Sequence, residues 1–308
     1  MQVAVRNAHG DITHQWRQVD QVYDSLLELG LRPFVELNPM PAVLASGTQT
    51  MFHYRMNVTP PRDYALWAAL VEAFARHLVA RYGRAEVRQW YFEVWNEPNL
   101  SCFWAGDQAA YWKLYATAAA ALKRVDADVR VGGPATARAQ WVTDFITYCT
   151  QASVPLDFIT THLYPQDEYV EYPDRQGSPH APGRYFVDRV CAVRDEVRAS
   201  PRPDLPIHWT EWNAIATGAT AQVSWSHNPT VDSLHAAAFA VDAMVALDNA
   251  ADTFCWWTAS DIFEEGGLSQ VPFSCTYGLV TIHGIPKASC NAFKLLKRLR
   301  GDVFETQA

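Results

Sequence analysis

No two of the chain's six cysteines form a Cys-x-x-Cys pair, and none is placed to build a staple. Cys102, Cys149, Cys191, Cys255, Cys275 and Cys290 are scattered. That excludes a disulfide framework and a thiolate zinc site, and reads as free thiols in a reducing compartment. The ten histidines lack a His-Glu-x-x-His spacing, so no metal and no other cofactor is expected. No apolar run reaches the about 18 residues that a helical membrane span needs. No charged, then apolar, then small-residue segment opens the chain, so the expectation is a soluble, cytoplasmic protein without an export signal. Basic residues are in deficit: 25 Lys and Arg stand against 33 Asp and Glu, a net charge of -8. Nucleic acid and anionic membranes, which require basic patches, are therefore poor partners, and a neutral substrate suits the chain better. Composition leaves self-association into a homo-oligomer open.

What the chain does have is apolar and aromatic bulk. Of 308 residues 49% are hydrophobic and 12 are Trp, enough for one large core. Helical apolar spacing predicts helices over 16–29, 63–82, 107–125, 141–151, 185–198, 233–249 and 287–299. Short apolar runs predict strands over 32–37, 89–96, 129–133, 156–163, 207–211 and 253–258. Residues 3–13 read as a loop into the first helix, and 40–62 as a long loop. Strict alternation means parallel strands joined by helical crossovers. Polar and aromatic motifs follow the strands, and the connections before the strands are short. This is the pattern of a (β/α)8 TIM barrel. No linker, repeat or low-complexity run divides it, so residues 1–308 read as a single catalytic domain.

Two of those strands end in a glutamate. Glu97 lies in Trp95-Asn96-Glu97-Pro98-Asn99, and Glu211 in Trp209-Thr210-Glu211-Trp212-Asn213. Two carboxylates among aromatic rings and amides are the equipment for breaking a glycosidic bond: one gives a proton to the leaving oxygen, the other attacks the sugar carbon. A partly dry setting drives the affinities of such a pair for protons apart. Pro98 disfavours the right-handed helical region for Glu97 and stops the strand. Asn96 sets an amide beside the carboxylate, within reach of a sugar hydroxyl.

The wider set of motifs resembles glycoside hydrolase family 39, most closely its β-xylosidases. It comprises Arg32-Pro33-Phe34-Val35-Glu36-Leu37, Thr59-Pro60-Pro61, residues Trp90 to Leu100, and Val131-Gly132-Gly133-Pro134. Thr161-His162-Leu163-Tyr164-Pro165 and the run from Trp257 to Glu265 complete it. The resemblance covers nearly the whole chain. It implies that Glu97 is the acid/base and Glu211 the nucleophile of a retaining hydrolase acting on a small carbohydrate. It implies that Asn96 holds the sugar 2-hydroxyl, and that His162 and Tyr164 lie near the nucleophile. It also implies that Trp257 floors the sugar site and that Glu264 and Glu265 hold sugar hydroxyls.

The chain departs from that family at its start. There the acid/base follows the fourth barrel strand and the nucleophile the seventh; here Glu97 follows the second recognisable strand and Glu211 the fifth. The expectation is an N-terminally incomplete barrel of six strands without the first two, and no C-terminal β-sandwich. Such a sheet exposes two edges. Ser274-Cys275-Thr276-Tyr277 replaces consecutive glycines, which is expected to narrow the sugar site. An exo-acting β-xylosidase is the leading expectation. An α-L-iduronidase-like enzyme, which wants Arg or Lys for its substrate carboxylate, and an inactive sugar-binding remnant are the alternatives.

Overall fold

The computed structural model describes residues 3–172, 182–215, 229–261 and 269–299. The chain opens with an antiparallel hairpin, β1 (Ala4–Arg6) and β2 (Ile12–His14), where the sequence reads as a loop. Three polar and glycine residues at its tip, Asn7, Gly10 and Asp11, close the turn through Asn7 Oδ1, which accepts from the Asp11 amide at 2.9 Å. Next come α1 (Arg17–Glu28), β3 (Phe34–Leu37) and a second small hairpin, β4 (Thr50–Met51) with β5 (Met56–Asn57). These precede α2 (Tyr64–Tyr82), α3 (Arg84–Val87), β6 (Tyr91–Val94), α4 (Gln108–Val125), β7 (Arg130–Thr136) and α5 (Val142–Gln151). The chain continues with β8 (Phe158–His162), α6 (Glu168–Glu171), α7 (Pro182–Arg198) and β9 (Ile207–Trp212). It ends with α8 (Leu234–Ala246), β10 (Thr253–Trp256) and α9 (Ala288–Leu296).

Short polar side chains start the long helices. Asp63 accepts from the Ala65 amide at 2.8 Å, Asp107 from Ala110 at 2.7 Å, and Ser233 from His235 at 3.2 Å. Each satisfies an amide that the first helical turn leaves without a partner. Gly83, at φ 84°, ends α2 in a conformation that costs glycine nothing.

The strands β3, β6, β7, β8, β9 and β10 form one parallel sheet in that order, with helices between them. This is a partial (β/α)8 barrel, with six of the eight strand–helix steps. The central strands β7 and β8 are buried almost throughout, whereas the outer strands β3 and β10 each leave residues exposed. Among the described residues, no helix is long and apolar enough to cross a membrane. All six cysteines are free thiols.

The chain forms two compact units, Met1–His162 with Val193–Trp209, and Leu163–Ala192 with Thr210–Ala308. In the first, Phe34, Tyr91, Phe158 and His208 meet as an aromatic layer: Phe34 stacks on Tyr91 at 4.9 Å, and Phe158 meets Phe34 edge-on at 5.5 Å. Gly132 makes the layer possible, since a Cβ there would stand 2.4 Å from the Phe158 ring and carbonyl. In the second, Trp212 is fully buried against Phe186, Phe239, Trp256 and Phe293. This aromatic packing anchors the residue that follows Glu211.

Candidate active site

The first unit holds Glu97. The strand β6 delivers it through a turn in which Trp95 and Glu97 both have positive φ, 73° and 43°. Non-glycine residues in that region are uncommon and cost energy, so the surroundings must hold them. The Glu97 amide donates to the Ala135 carbonyl at 2.8 Å, and its own carbonyl accepts from Leu100 at 3.0 Å. Pro98 disfavours the right-handed helical region for Glu97, and the observed φ of 43° lies outside it.

The Glu97 carboxyl is 7% exposed. Burial raises its pKa from 4.5 to about 7, against the pull of the Arg138 charge. Its Oε1 lies 3.0 Å from His162 Nδ1, and His162 is itself fully buried. The imidazole can donate to the ionised carboxylate or accept from the protonated acid, so the pair stays bonded in both states. Asn96 Oδ1 is buried with no hydrogen-bond partner among the described residues. A buried amide oxygen in that condition calls for a donor from a ligand. Glu36 on β3 is a further member. Asn38 Nδ2 donates to it at 2.7 Å. The protein crowded around Glu36 raises its pKa, the Asn38 bond lowers it, and the charge of Glu97 raises it again. Its side chain is nevertheless open to solvent at the outer strand.

The second unit holds Glu211, 9% exposed near the end of β9. The Tyr164 hydroxyl donates to Glu211 Oε2 at 2.8 Å. Tyr164 is positioned by a turn in which its amide donates to Asp167 Oδ2 at 2.8 Å and its carbonyl accepts from the Asp167 amide at 2.9 Å. Tyr164 and Trp257 pack on a small apolar cluster of Ile215, Val231 and Tyr277. Asn213, fully buried two residues after Glu211, donates through Nδ2 to the Trp257 and Tyr277 carbonyls.

A family model, Glycosyl hydrolases family 39, matches residues 1–308. The chain belongs to this family. It is 43% identical over 311 residues to a beta-xylosidase of Caldicellulosiruptor saccharolyticus, spanning 100% of this chain and 61% of that protein. It is 39% identical over 297 residues to a beta-xylosidase of Geobacillus stearothermophilus, spanning 94% of this chain and 57% of that one. The structure of a monomeric beta-xylosidase from Caulobacter crescentus superposes with a TM-score of 0.85 at 37% identity, over 97% of this chain and 59% of that one. The chain thus spans about three fifths of the length of these relatives.

His162 Nδ1 lies 3.0 Å from Glu97 Oε1, and the Tyr164 hydroxyl donates to Glu211 Oε2. His162 ends β8, which hydrogen-bonds to β7, whose Ala135 carbonyl accepts from the Glu97 amide. Glu264 and Glu265 lie outside the described residues. Glu36 went unassigned by sequence reasoning, although a carboxylate inside the apolar run Phe34-Val35-Glu36-Leu37 was the available signal.

The segment 274–278 is fastened by an ion cluster that sequence reasoning also missed. Lys287 is 1% exposed. Its Nζ donates to Asp261 Oδ1 at 2.9 Å and to the Thr276 carbonyl at 2.7 Å, and pairs with Asp232 at 2.6 Å. The Cys275 amide donates to Asp232 Oδ2 at 2.6 Å. Gly278 cannot carry a side chain, since a Cβ would stand 2.3 Å from the Asp261 amide nitrogen. Removing Lys287 strands two buried carboxylates without their cation, which costs about 3–5 kcal/mol. Lys287→Met is therefore expected to lower the unfolding free energy by that amount in a urea titration, and an unchanged midpoint contradicts the account.

Tyr164→Phe removes the hydroxyl that donates to Glu211 Oε2, with little change in shape. A hydrogen bond to a charged group is worth roughly 1.5–3 kcal/mol. If Glu211 gathers and releases charge during turnover, kcat is expected to fall by about tenfold to a hundredfold while the melting temperature holds. Steady-state kinetics beside thermal melts measure both.

Proposed function

We propose that the chain is an exo-acting, retaining β-xylosidase that releases xylose from the non-reducing end of β-xylosides. The observation that carries the reading is the contrast between its two strand-end glutamates. Glu97 is buried, holds its proton up to about pH 7 and is backed by an imidazole. Glu211 accepts a hydrogen bond from a tyrosine hydroxyl. One is suited to give a proton, the other to bear charge and attack. The two beta-xylosidases at 43% and 39% identity support xylose as the sugar. The free thiols fit action in the reducing cytoplasm.

In the first step Glu97 protonates the glycosidic oxygen while Glu211 attacks the anomeric carbon. The bond to the leaving group breaks with its electron pair, and a glycosyl ester forms on Glu211. In the second step Glu97, now ionised, takes a proton from water. The hydroxide so formed displaces Glu211, and configuration is retained. The mechanism requires the two carboxyl groups to stand about 5–5.5 Å apart across the sugar. Asn96 Oδ1 accepts from the 2-hydroxyl, and Trp257 stacks beneath the ring. Glu264 and Glu265 are assigned to the remaining hydroxyls.

Incubation with an activated 2-deoxy-2-fluoro-xyloside tests the proposal. The fluorine slows hydrolysis of the glycosyl ester more than its formation, so a working nucleophile is trapped. One adduct per chain, mapping to Glu211 by peptide mass, is expected. Folded protein that gains no mass, or an adduct at another residue, overturns it.

A further inference from the structure

The backbone around the end of β7 is strained at several points. Ala135, Arg138, Ala139 and Trp141 hold φ of 53°, 59°, 54° and 62°. None is glycine, and left-handed backbone costs each of them energy. Such outliers persist only where their surroundings impose them, and they gather at working sites. Here the turn that Glu97 begins holds them in place. Asn99 Oδ1 accepts from the Ala137 amide at 2.9 Å, and Asn99 Nδ2 donates to the Ala137 carbonyl at 2.9 Å and to Gln140 Oε1 at 3.0 Å. The Ala135 carbonyl accepts from the Glu97 amide at 2.8 Å. Thr136 Oγ1 closes the loop on the Gln140 carbonyl. The acid's turn and the loop after β7 are thus bonded together at the acid and again two residues beyond it.

The clasp carries Arg138, next in sequence to Ala137. Its side chain is half-buried, and its Nε is buried. A guanidinium cannot shed its proton, so drawing it out of water is costly unless it faces negative charge. Its charge acts on the Glu97 carboxyl. The other groups that face Glu97 are His162 from β8, Glu36 from β3 and, in the proposed mechanism, Glu211 across the sugar. Two are acids and one is a weak base, so of these groups Arg138 alone stays cationic at every working pH. A carboxyl buried among them without a cation would grip its proton too tightly. It would serve the first step, which needs the proton, and fail the second, which needs it gone.

We propose that Arg138 is a positioning residue for the acid/base: Asn99 holds its guanidinium beside the Glu97 carboxyl, where the fixed positive charge eases release of the proton for the second step. The inference deepens the glycosidase reading and rests on it.

Direct titration of Glu97 tests this. Glutamate carboxyl carbons are labelled with carbon-13 and followed by NMR against pH, the Glu97 signal being the one that Glu97→Gln lacks. Arg138→Met removes the charge and keeps much of the side-chain volume. Arg138→Gly removes it and suits the left-handed backbone, so its melting temperature should hold or rise, and it decides the matter if the Met variant does not fold. Both are expected to move the Glu97 midpoint up by about one pH unit, the low end of what a neighbouring opposite charge does. Arg138→Lys, which keeps the charge, should stay near wild type. A midpoint unmoved in the Gly variant overturns the proposal. The alkaline limb of kcat/KM with xylobiose should shift with the NMR midpoint, and a limb that stays while the midpoint moves overturns a role in turnover. A midpoint that moves in a chain whose wild type hydrolyses no xyloside supports the electrostatic role and overturns the glycosidase reading by itself.

Discussion

Glu211→Ala is expected to lower xyloside turnover by at least about 10⁴-fold, the scale seen when a covalent nucleophile is deleted from an enzyme that depends on it. The loss should appear in kcat with every leaving group, because no glycosyl ester can form. Added azide supplies the check on the role. In this variant it enters the space left by the carboxylate and attacks the anomeric carbon directly, so the product is α-xylosyl azide, with inverted configuration. Product stereochemistry by NMR reads the outcome. A variant that retains full activity, or one whose azide product is the β anomer, removes Glu211 from the nucleophile's place.

Glu97→Ala should give the complementary pattern. Loss of a general acid costs about 10²–10⁴-fold where the leaving group needs a proton, so xylobiose turnover collapses. The first step on xylosyl fluoride needs no such proton and survives. Azide then attacks the glycosyl-enzyme from the face that Glu97 serves, and the product is β-xylosyl azide. The pH profile carries a second signature. Burial raises the Glu97 pKa from 4.5 to about 7, and the acid works only when protonated. Wild-type kcat/KM should therefore decline as pH rises through about 7, and Glu97→Ala should lack that limb.

Stability follows the same group with a definite sign. Between 4.5 and about 7 the folded chain holds a proton on Glu97 that the unfolded chain has released. Folding stability from this residue is thus greatest below that window and is lost as pH rises through it. Glu97→Ala should flatten this part of the dependence in urea titrations at stepped pH. Glu36, whose pKa the protein crowded around it also raises and whose charge opposes that of Glu97, should leave a residual slope.

Much of this molecule is legible in short windows of sequence. The helix starting at Tyr64 is announced by Asp63 and stopped by Gly83, and both act as caps in the structure. The six sheet strands appear as short apolar runs because parallel strands are covered on both faces. The strand-end position of Glu97 is set by Pro98 and by the aromatic run before it. What the windows hide are the hairpins. β1–β2 and β4–β5 are strands of two or three residues, too short to show alternation. β3 stands at one edge of the sheet.

By itself, the sequence determined the class of fold, the family and the two carboxylates at strand ends, because each depends on residues close together in the chain. Only the tertiary structure decided what each carboxylate meets. His162 reaches Glu97 across 65 residues, and Tyr164 reaches Glu211 across 47. Lys287 joins Asp261 across 26 and fastens a segment whose residues look unremarkable in sequence. The physical reason is that a buried charge is defined by its neighbours in space. Strand order chooses those neighbours, and burial sets how strongly they act, with no trace in the spacing of the residues concerned.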